Sequence, residues 1–272
     1  MPILCDSHIH SHHSGDSEAS MESMIEAAIA AGLDTLVFTE HNDFQAPPAP
    51  DLPKDAFLLN ADSYLYELLQ MKERYSDRIR LLFGVELGLQ PCCVRENAVF
   101  AKSHDFDFII GSAHYVGGKD PYYPETFEGT TPSVLYRQYF EEFLESVRKT
   151  SNFDVCGHLD YVFRYGPRTV TDPDPAPYMD VIEAILKILV DREKGLEINT
   201  KSAARGMKEF HPSEKILRRY KELGGEIVTV GSDAHSPKWV GSDFEKAAEL
   251  LKRCGFEYYC VFEKRTPEYH RI

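Results

Sequence analysis

The chain has 272 residues, of which 43% are hydrophobic and 27% charged, which is typical of a soluble globular protein. It carries 30 Lys and Arg residues against 44 Asp and Glu residues, which gives a formal net charge of −14. Nucleic acids and anionic membranes are bound mainly through Lys and Arg, so this charge argues against both as partners. The chain has no apolar run of about 18 residues and no basic, apolar leader, so neither a membrane span nor a secretory signal is predicted.

The six cysteines support the same interpretation, because none of them forms a C-x-x-C pair. Reduced thiols and a cytoplasmic location are therefore predicted. The sequence gives no indication of the oligomeric state.

Short apolar runs rich in β-branched residues alternate with helical stretches along the chain. The runs cover residues 3–5, 35–38, 80–85, 106–110, 153–156, 196–198 and 226–230. Helices are predicted over residues 21–31, 62–75, 95–103, 133–150, 178–194, 212–223 and 244–254. This alternation favours an α/β fold with a parallel sheet, closed into a single-domain barrel over residues 1–272, with an open doubly wound sheet as the alternative. A last run, 258–262, is a candidate eighth strand whose place stays open.

Two segments are predicted to be elaborated loops. Residues 45–56 contain four prolines, and residues 117–132 are rich in Gly, Pro, Tyr and acidic residues. Each follows a candidate site residue, so each is either a substrate lid or a plain surface loop.

Imidazoles and carboxylates follow six of the seven runs. In chain order they are His8, His10 and Asp16; His41 and Asp43; Glu86; His114; His158 and Asp160; and Asp233 and His235. Parallel strands bring their carboxyl ends to one rim, and residues two apart on a strand face the same way. So many ionisable groups at one rim are unfavourable unless they bind metal, and this mixture suits Zn, Fe or Mn better than Mg or Ca.

The remaining histidines have simpler predicted roles. His12, His13 and His270 are predicted to be solvated. His104 closes a helix, where a cationic side chain suits the helix dipole.

These motifs resemble the polymerase-and-histidinol-phosphatase (PHP) superfamily. The matching motifs are Asp6-x-His8-x-His10, Thr39-Glu40-His41, Gly84-Val85-Glu86, Ser112-Ala113-His114, Gly157-His158 and Gly231-Ser232-Asp233-x-His235. Their order and spacing match from residue 6 to residue 235. The chain length and the segments 195–200 and 211–213 further resemble the histidinol-phosphatase branch.

The resemblance implies a distorted (β/α)7 TIM-like barrel with a trinuclear metal site. It implies His8, His10, Glu86 and Asp233 at the first metal; Glu86, His114 and His158 at the second; and Asp16, His41 and His235 at the third. Many relatives have His where this chain has Asp16, so two or three divalent transition metals (Zn, Fe or Mn) are expected.

Metal-assisted hydrolysis of a small phosphomonoester is the predicted reaction, because bound metal reverses the repulsion between an acidic chain and phosphate. The resemblance implies L-histidinol phosphate as substrate, within histidine biosynthesis. Arg164, His211 and Lys201 are the candidate phosphate-binding residues, with Arg205 a weaker candidate. Asp43, Asp160 and His211 are the candidate proton donors. The alternatives are a PHP-type phosphoesterase acting on a nucleotide or sugar phosphate, a metal-dependent amidohydrolase, and a non-catalytic module of a polymerase.

Overall fold

A computed structural model describes residues 2–166, 173–204 and 206–272 of the chain. Its centre is a sheet of seven strands that lie in sequential order and pair in parallel throughout. The strands are β1 Cys5–Ile9, β2 Thr35–Asn42, β3 Arg80–Gly88, β4 Phe108–Ser112, β5 Val155–Cys156, β6 Gly195–Asn199 and β7 Val228–Gly231. Arg205, a candidate phosphate-binding residue, lies outside the described residues.

Backbone hydrogen bonds join β1 to the chain that follows β7. The amide of His10 donates to the carbonyl of Ala234 at 2.9 Å, and the amide of Asp233 donates to the carbonyl of His8 at 2.7 Å. The first and last strands thus meet at their carboxyl ends. The prediction of a seven-stranded TIM-like barrel is confirmed.

Helices pack around the outside of this sheet. They are α1 Met21–Ala30, α2 Ala61–Arg74, α3 Val94–Phe100, α4 Pro132–Lys149, α5 Met179–Asp191, α6 Lys201–Ala204, α7 Glu214–Glu222 and α8 Phe244–Arg253. The first helix shows why they form: Ser20 accepts from the amide of Ser23 at 3.2 Å and caps it, and Gly32 follows its end at a φ of 78°. Its buried Met21 and Ile25 each contribute roughly 1.5–3 kcal/mol by burial against the barrel.

The last apolar run does not enter the barrel. It forms β8, Tyr258–Glu263, which pairs antiparallel with β9, Thr266–Arg271. The turn between them is anchored at the amino ends of the barrel strands, where the amide of Arg265 donates to the carbonyl of Asp107 at 2.9 Å. This hairpin therefore lies at the end of the barrel opposite the predicted site.

The strands extend beyond the apolar runs that predicted them. β2 continues to Asn42 and β3 to Gly88, so the hydrogen-bonded ladder includes His41 and Glu86 of the candidate site. Those polar side chains are held by regular strands rather than by loops, which fixes their direction. Among the described residues, no helix is long and apolar enough to cross a membrane.

Candidate metal centre

The carboxyl end of the barrel holds the nine predicted metal ligands. His8, His41 and Glu86 lie on strands, five others lie one to four residues after a strand, and Asp16 lies further along the loop that follows β1. Contacts shorter than 4 Å link all nine side chains into one connected cluster. The structure thus brings together side chains that are up to 227 positions apart in the chain (235 − 8).

Glu86 lies at the middle of this cluster and is fully buried. One carboxylate oxygen, Oε1, lies 2.9 Å from His158 Nε2 and 3.1 Å from His114 Nε2. The other, Oε2, lies 3.2 Å from His8 Nε2 and 3.0 Å from His41 Nδ1. A carboxylate with two imidazoles at each oxygen is placed to bridge two cations.

A second convergence of ligand atoms lies between β1 and β7. His8, His10 and Asp233 offer atoms within 4.8 Å of one another. Asp233 has a φ of 51°, in the left-handed region that disfavours non-glycine residues. Such conformations persist where the surroundings hold them, often at functional sites.

The outer part of the cluster faces solvent. Asp16 Oδ2 lies 2.9 Å from His235 Nε2 and 3.7 Å from His41 Nε2. His10, His41 and His235 also offer ligand atoms within 4.8 Å of one another. The expected third set, Asp16, His41 and His235, is therefore close together, although the division of the cluster into three sites stays a prediction.

Hydrogen bonds at Nδ1 orient the imidazoles. Glu197 accepts from Nδ1 of the buried His8, and Asp43 lies 2.8 Å from Nδ1 of His114. Ser14 donates its hydroxyl proton to Glu40, so at 3.0 Å it accepts from Nδ1 of His10. In each case the Nε2 atom is left to face the centre of the cluster, which is the arrangement of a metal-ligating histidine.

Charged neighbours shift the pKa values of the central carboxylate and of two of its imidazoles. Burial raises the pKa of Glu86, but His8 and His114 outweigh it and hold that pKa well below its usual range. Burial lowers the pKa of His8 and of His114, but their carboxylate neighbours outweigh it and hold both well above the usual range. Metal ions would neutralise the same carboxylates and displace these protons.

Several buried ligand atoms lack a hydrogen-bond partner among the described residues. They include Glu86 Oε2 and His41 Nδ1, whose 3.0 Å contact does not have hydrogen-bond geometry. Burial lowers the pKa of His158 to about 4, so this ring is neutral near pH 7, as metal ligation requires. Orphaned buried lone pairs are costly. The residues therefore fit divalent cations.

Sequence reasoning missed Glu197, which is fully buried on β6. Besides His8, it accepts from the amide of His158 at 3.0 Å and from Asn199 Nδ2 at 3.2 Å. Glu197 therefore positions His8, His158 and Asn199 through hydrogen bonds. An acidic residue inside an apolar strand was the available signal, because a buried charge needs specific partners.

The predicted basic residues lie beside Asp233. Arg164 Nη1 lies 3.2 Å from Asp233 Oδ2, and Lys201 Nζ lies 2.8 Å from Asp233 Oδ1. Arg164 Nη2 donates to Asn199 Oδ1 at 2.6 Å, while its buried Nε has no acceptor among the described residues. Both cations line the cavity that lies over the cluster, where they could bind an anion.

The three candidate proton donors occupy different places. Asp43 lines the cavity. Asp160 Oδ1 and His211 Nδ1 are 2.6 Å apart, and Asp160 Oδ2 accepts from the amide of Ser213 at 3.0 Å. Within the described chain, neither Asp160 nor His211 contributes to the cavity wall. Their catalytic role stays a prediction.

The cavity over the cluster has a volume of about 490 Å³. Both predicted loops contribute to its wall, through Asp51 and Leu52 of the first and Asp120 and Tyr122 of the second. They are therefore part of the site rather than plain surface loops. A cavity of this size suits a small molecule.

The fold and the site together define a metal-binding barrel of the PHP type. A PHP domain model matches residues 6–201, and the chain belongs to this family. The chain is 34% identical to the histidinol-phosphatase of Lactococcus lactis subsp. lactis, over 94% of this chain and 93% of that protein. It is 31% identical to a probable histidinol-phosphatase of Clostridium acetobutylicum, over 98% of this chain and 100% of that protein.

Solved structures agree with these relatives. The crystal structure of the Lactococcus lactis histidinol phosphate phosphatase, complexed with zinc, L-histidinol and phosphate, has a TM-score of 0.89 at 34% identity and covers 97% of this chain and 98% of that chain. A Listeria monocytogenes structure has a TM-score of 0.74 at 19% identity and covers 89% of this chain and 99% of that chain, which supports the fold alone.

Proposed function

We propose that this chain is a metal-dependent histidinol-phosphatase, which hydrolyses L-histidinol phosphate to L-histidinol and phosphate. The observation that carries the reaction class is the cluster of nine imidazoles and carboxylates around Glu86, with Arg164 beside it. The substrate follows from the Lactococcus lactis relative, whose structure holds zinc, L-histidinol and phosphate.

Two or three divalent transition metals are proposed at the nine ligands. Bound there, they supply Lewis acidity and a water whose pKa falls toward about 7. The residues of the chain do the positioning. Glu197, Ser14 and Asp43 hold imidazoles in the ligating tautomer, while Arg164 and Lys201 bind phosphoryl oxygens.

Arg164 is the leading phosphate-binding residue, because its buried side chain has a donor without an acceptor. Its guanidinium lies 5.2 Å from the centre of the Tyr161 ring, which fixes the plane of the fork. A phosphate oxygen would satisfy the unpaired Nε donor. Removing this contact leaves metal binding intact but weakens substrate binding.

Asp120 favours a substrate that carries positive charge. It lines the cavity, and no basic side chain of the described residues pairs with it. Its carboxylate accepts from the amide of Tyr122 at 2.8 Å, and burial raises its pKa. Tyr161 and Tyr165 line the same cavity, with ring centres 5.1 Å apart. An unpaired carboxylate near aromatic rings suits an amine or imidazole better than a sugar or nucleotide.

A substrate panel tests the function. The enzyme is purified with Zn or Mn supplied, and phosphate release is measured from L-histidinol phosphate, sugar phosphates and nucleoside monophosphates. We expect release from L-histidinol phosphate and its loss on chelation. Stoichiometric metal without turnover of any phosphomonoester would contradict the mechanism, and a preference for sugar phosphates or nucleotides would favour the broader PHP phosphoesterase.

Matched variants separate the proposed roles. Arg164→Ala should lower kcat/KM by about 10- to 150-fold with metal content unchanged, since the charged hydrogen bond that is lost contributes about 1.5–3 kcal/mol. Arg137→Ala, an exposed arginine paired with Asp180, is the control and should have no effect. His114→Ala should lose metal.

Asp120→Asn should raise KM for L-histidinol phosphate by about 10-fold, equivalent to about 1.4 kcal/mol, and leave p-nitrophenyl phosphate unaffected. An equal effect on both substrates would refute the assignment to the cationic end of the substrate.

Measurements of metal content and kcat in two variants distinguish between candidate proton donors. An Asp43→Asn variant that loses metal would identify Asp43 as a positioning residue for His114. A His211→Asn variant with full metal and a lowered, pH-shifted kcat would identify His211 as the donor.

A further inference from the structure

A second group of possible metal ligands lies outside the central cluster. His12 and His13, in the loop after β1, face Glu67 on α2. His12 Nε2 lies 3.3 Å and His13 Nε2 2.9 Å from the same oxygen, Glu67 Oε2. This group shares no residue with the central cluster.

The helix side of this group is fixed by packing. Tyr64 is buried and donates its hydroxyl to the carbonyl of Phe38 at 2.8 Å, which holds α2 against the barrel. Glu67 lies three residues further along, on the same face of the helix. The His13 ring packs against Tyr64 with centres 5.6 Å apart. The prediction that His13 is solvated was wrong: its side chain is only 11% exposed, against 43% for His12.

Hydrogen bonding accounts for only one of the two imidazoles beside Glu67. The His12 and His13 rings are 4.4 Å apart. His13 Nε2 lies within hydrogen-bond distance of Glu67 Oε2, at 2.9 Å, whereas His12 Nε2 lies 3.3 Å from the same oxygen without forming a hydrogen bond to it. The three atoms therefore converge more closely than hydrogen bonding between them requires. A divalent cation satisfies all three ligand atoms at once. Among the described residues, no Lys or Arg competes for Glu67.

We propose that His12, His13 and Glu67 form a peripheral transition-metal site. Two imidazoles and one carboxylate suit Zn²⁺ or a similar borderline cation, and water completes the coordination. The loop that carries His12 and His13 follows His10 and leads to Asp16. A cation at the peripheral site therefore ties the loop between two central ligands to α2.

The experiment compares zinc binding by four proteins: wild type, His12→Ala, Glu67→Gln and His104→Ala. Each holoprotein is dialysed to equilibrium against buffered free Zn²⁺, and bound zinc is counted per chain. His104 is the matched control, because its Nε2 lies 3.0 Å from Asp62 Oδ1 and Asp62, like Glu67, lies on α2. In the described part of the chain, this pair has no third ligand beside it. We expect wild type and His104→Ala to bind one more Zn²⁺ than the other two, whose affinity for this ion falls at least about tenfold.

Hydrogen exchange supplies the second measurement. Zinc should protect the amides of residues 11–17 in wild type but not in His12→Ala, whose exposed side chain can be removed without unfolding. Equal zinc content in all four proteins would overturn the proposal. So would an additional zinc that is lost in His104→Ala and kept in His12→Ala. Neither measurement depends on phosphatase activity.

Discussion

Replacing Glu197 with Gln tests whether hydrogen bonds behind the ligands control metal binding. Gln has the same shape, so no cavity forms. If the Gln side-chain oxygen faces His8, the NH2 group replaces Glu197 Oε2. It then faces two donors, the amide of His158 and Asn199 Nδ2, which lie 3.0 and 3.2 Å from that oxygen in the wild-type structure. Two buried donors left unsatisfied cost about 1–3 kcal/mol each, or roughly 2–6 kcal/mol together.

The opposite orientation of the amide is less costly to the fold but harms the site. The NH2 group then faces Nδ1 of His8, which must become an acceptor and move its proton to Nε2. That proton blocks the atom that faces the centre of the cluster. Losing an orienting partner of this kind lowers metal affinity about 10- to 100-fold, or roughly 1.4–2.8 kcal/mol. Because this cost is smaller than the cost of two unsatisfied donors, we expect the amide to adopt this second orientation and metal affinity to fall.

Competition with a chromophoric chelator measures this effect directly. Asp107→Asn is the control, because Asp107 is also buried and accepts from a backbone amide, that of Phe83 at 2.9 Å, but lies at the opposite end of the barrel. Its metal affinity should match wild type. A Glu197→Gln protein with wild-type metal affinity and wild-type stability would refute the reasoning.

Three further predictions concern the same end of the barrel. Gly231→Ala should destabilise the fold by about 1–3 kcal/mol in urea denaturation, because the added Cβ would lie 2.3 Å from the Cβ of His8. Asp6→Ala should lower the free energy of unfolding by roughly 2–6 kcal/mol in the same assay. The reason is that the buried Asp6 carboxylate accepts from the backbone amides of Ser232 and Gly241, each at 2.9 Å. Metal affinity should fall as pH falls, because His8 and His114, whose pKa values are raised, must release protons to bind metal; calorimetry in two buffers counts those protons.

Each of these has an outcome that would contradict it. Wild-type stability of Gly231→Ala would mean that β1 and β7 can separate without cost. A stable Asp6→Ala protein would mean that water replaces the carboxylate. Metal binding without proton release would mean that the imidazoles are already neutral in the apoprotein.

The sequence determined much of the site because one rule connects it to the fold. Side chains that follow buried parallel strands meet at one rim, so residue order was enough to place Glu86, His114 and His158 there. Their grouping at one metal came from the family resemblance. The structure brings both imidazoles to within 3.1 Å of the Glu86 carboxylate. Metal binding by these residues stays a prediction.

Tertiary structure alone decided the contacts that depend on packing between distant segments. From the sequence, Glu197 is only a residue inside a predicted strand. Its role depends on the folded position of β6, which places its carboxylate against His8. Strand propensity could not say whether 258–262 joined the barrel, because pairing with β9 satisfies the same backbone groups. His13 turns inward only because α2 presents Tyr64 and Glu67 to it.

The sequence by itself thus determined the alternation of strands and helices, the rim and the chemical character of the site, since these follow from local periodicity and residue type. The orientation of each imidazole, the cavity wall and the peripheral histidine pair were decided by the folded chain. The physical reason is that a hydrogen bond or a packed ring requires a partner at a fixed distance, and such partners come from other elements of the fold.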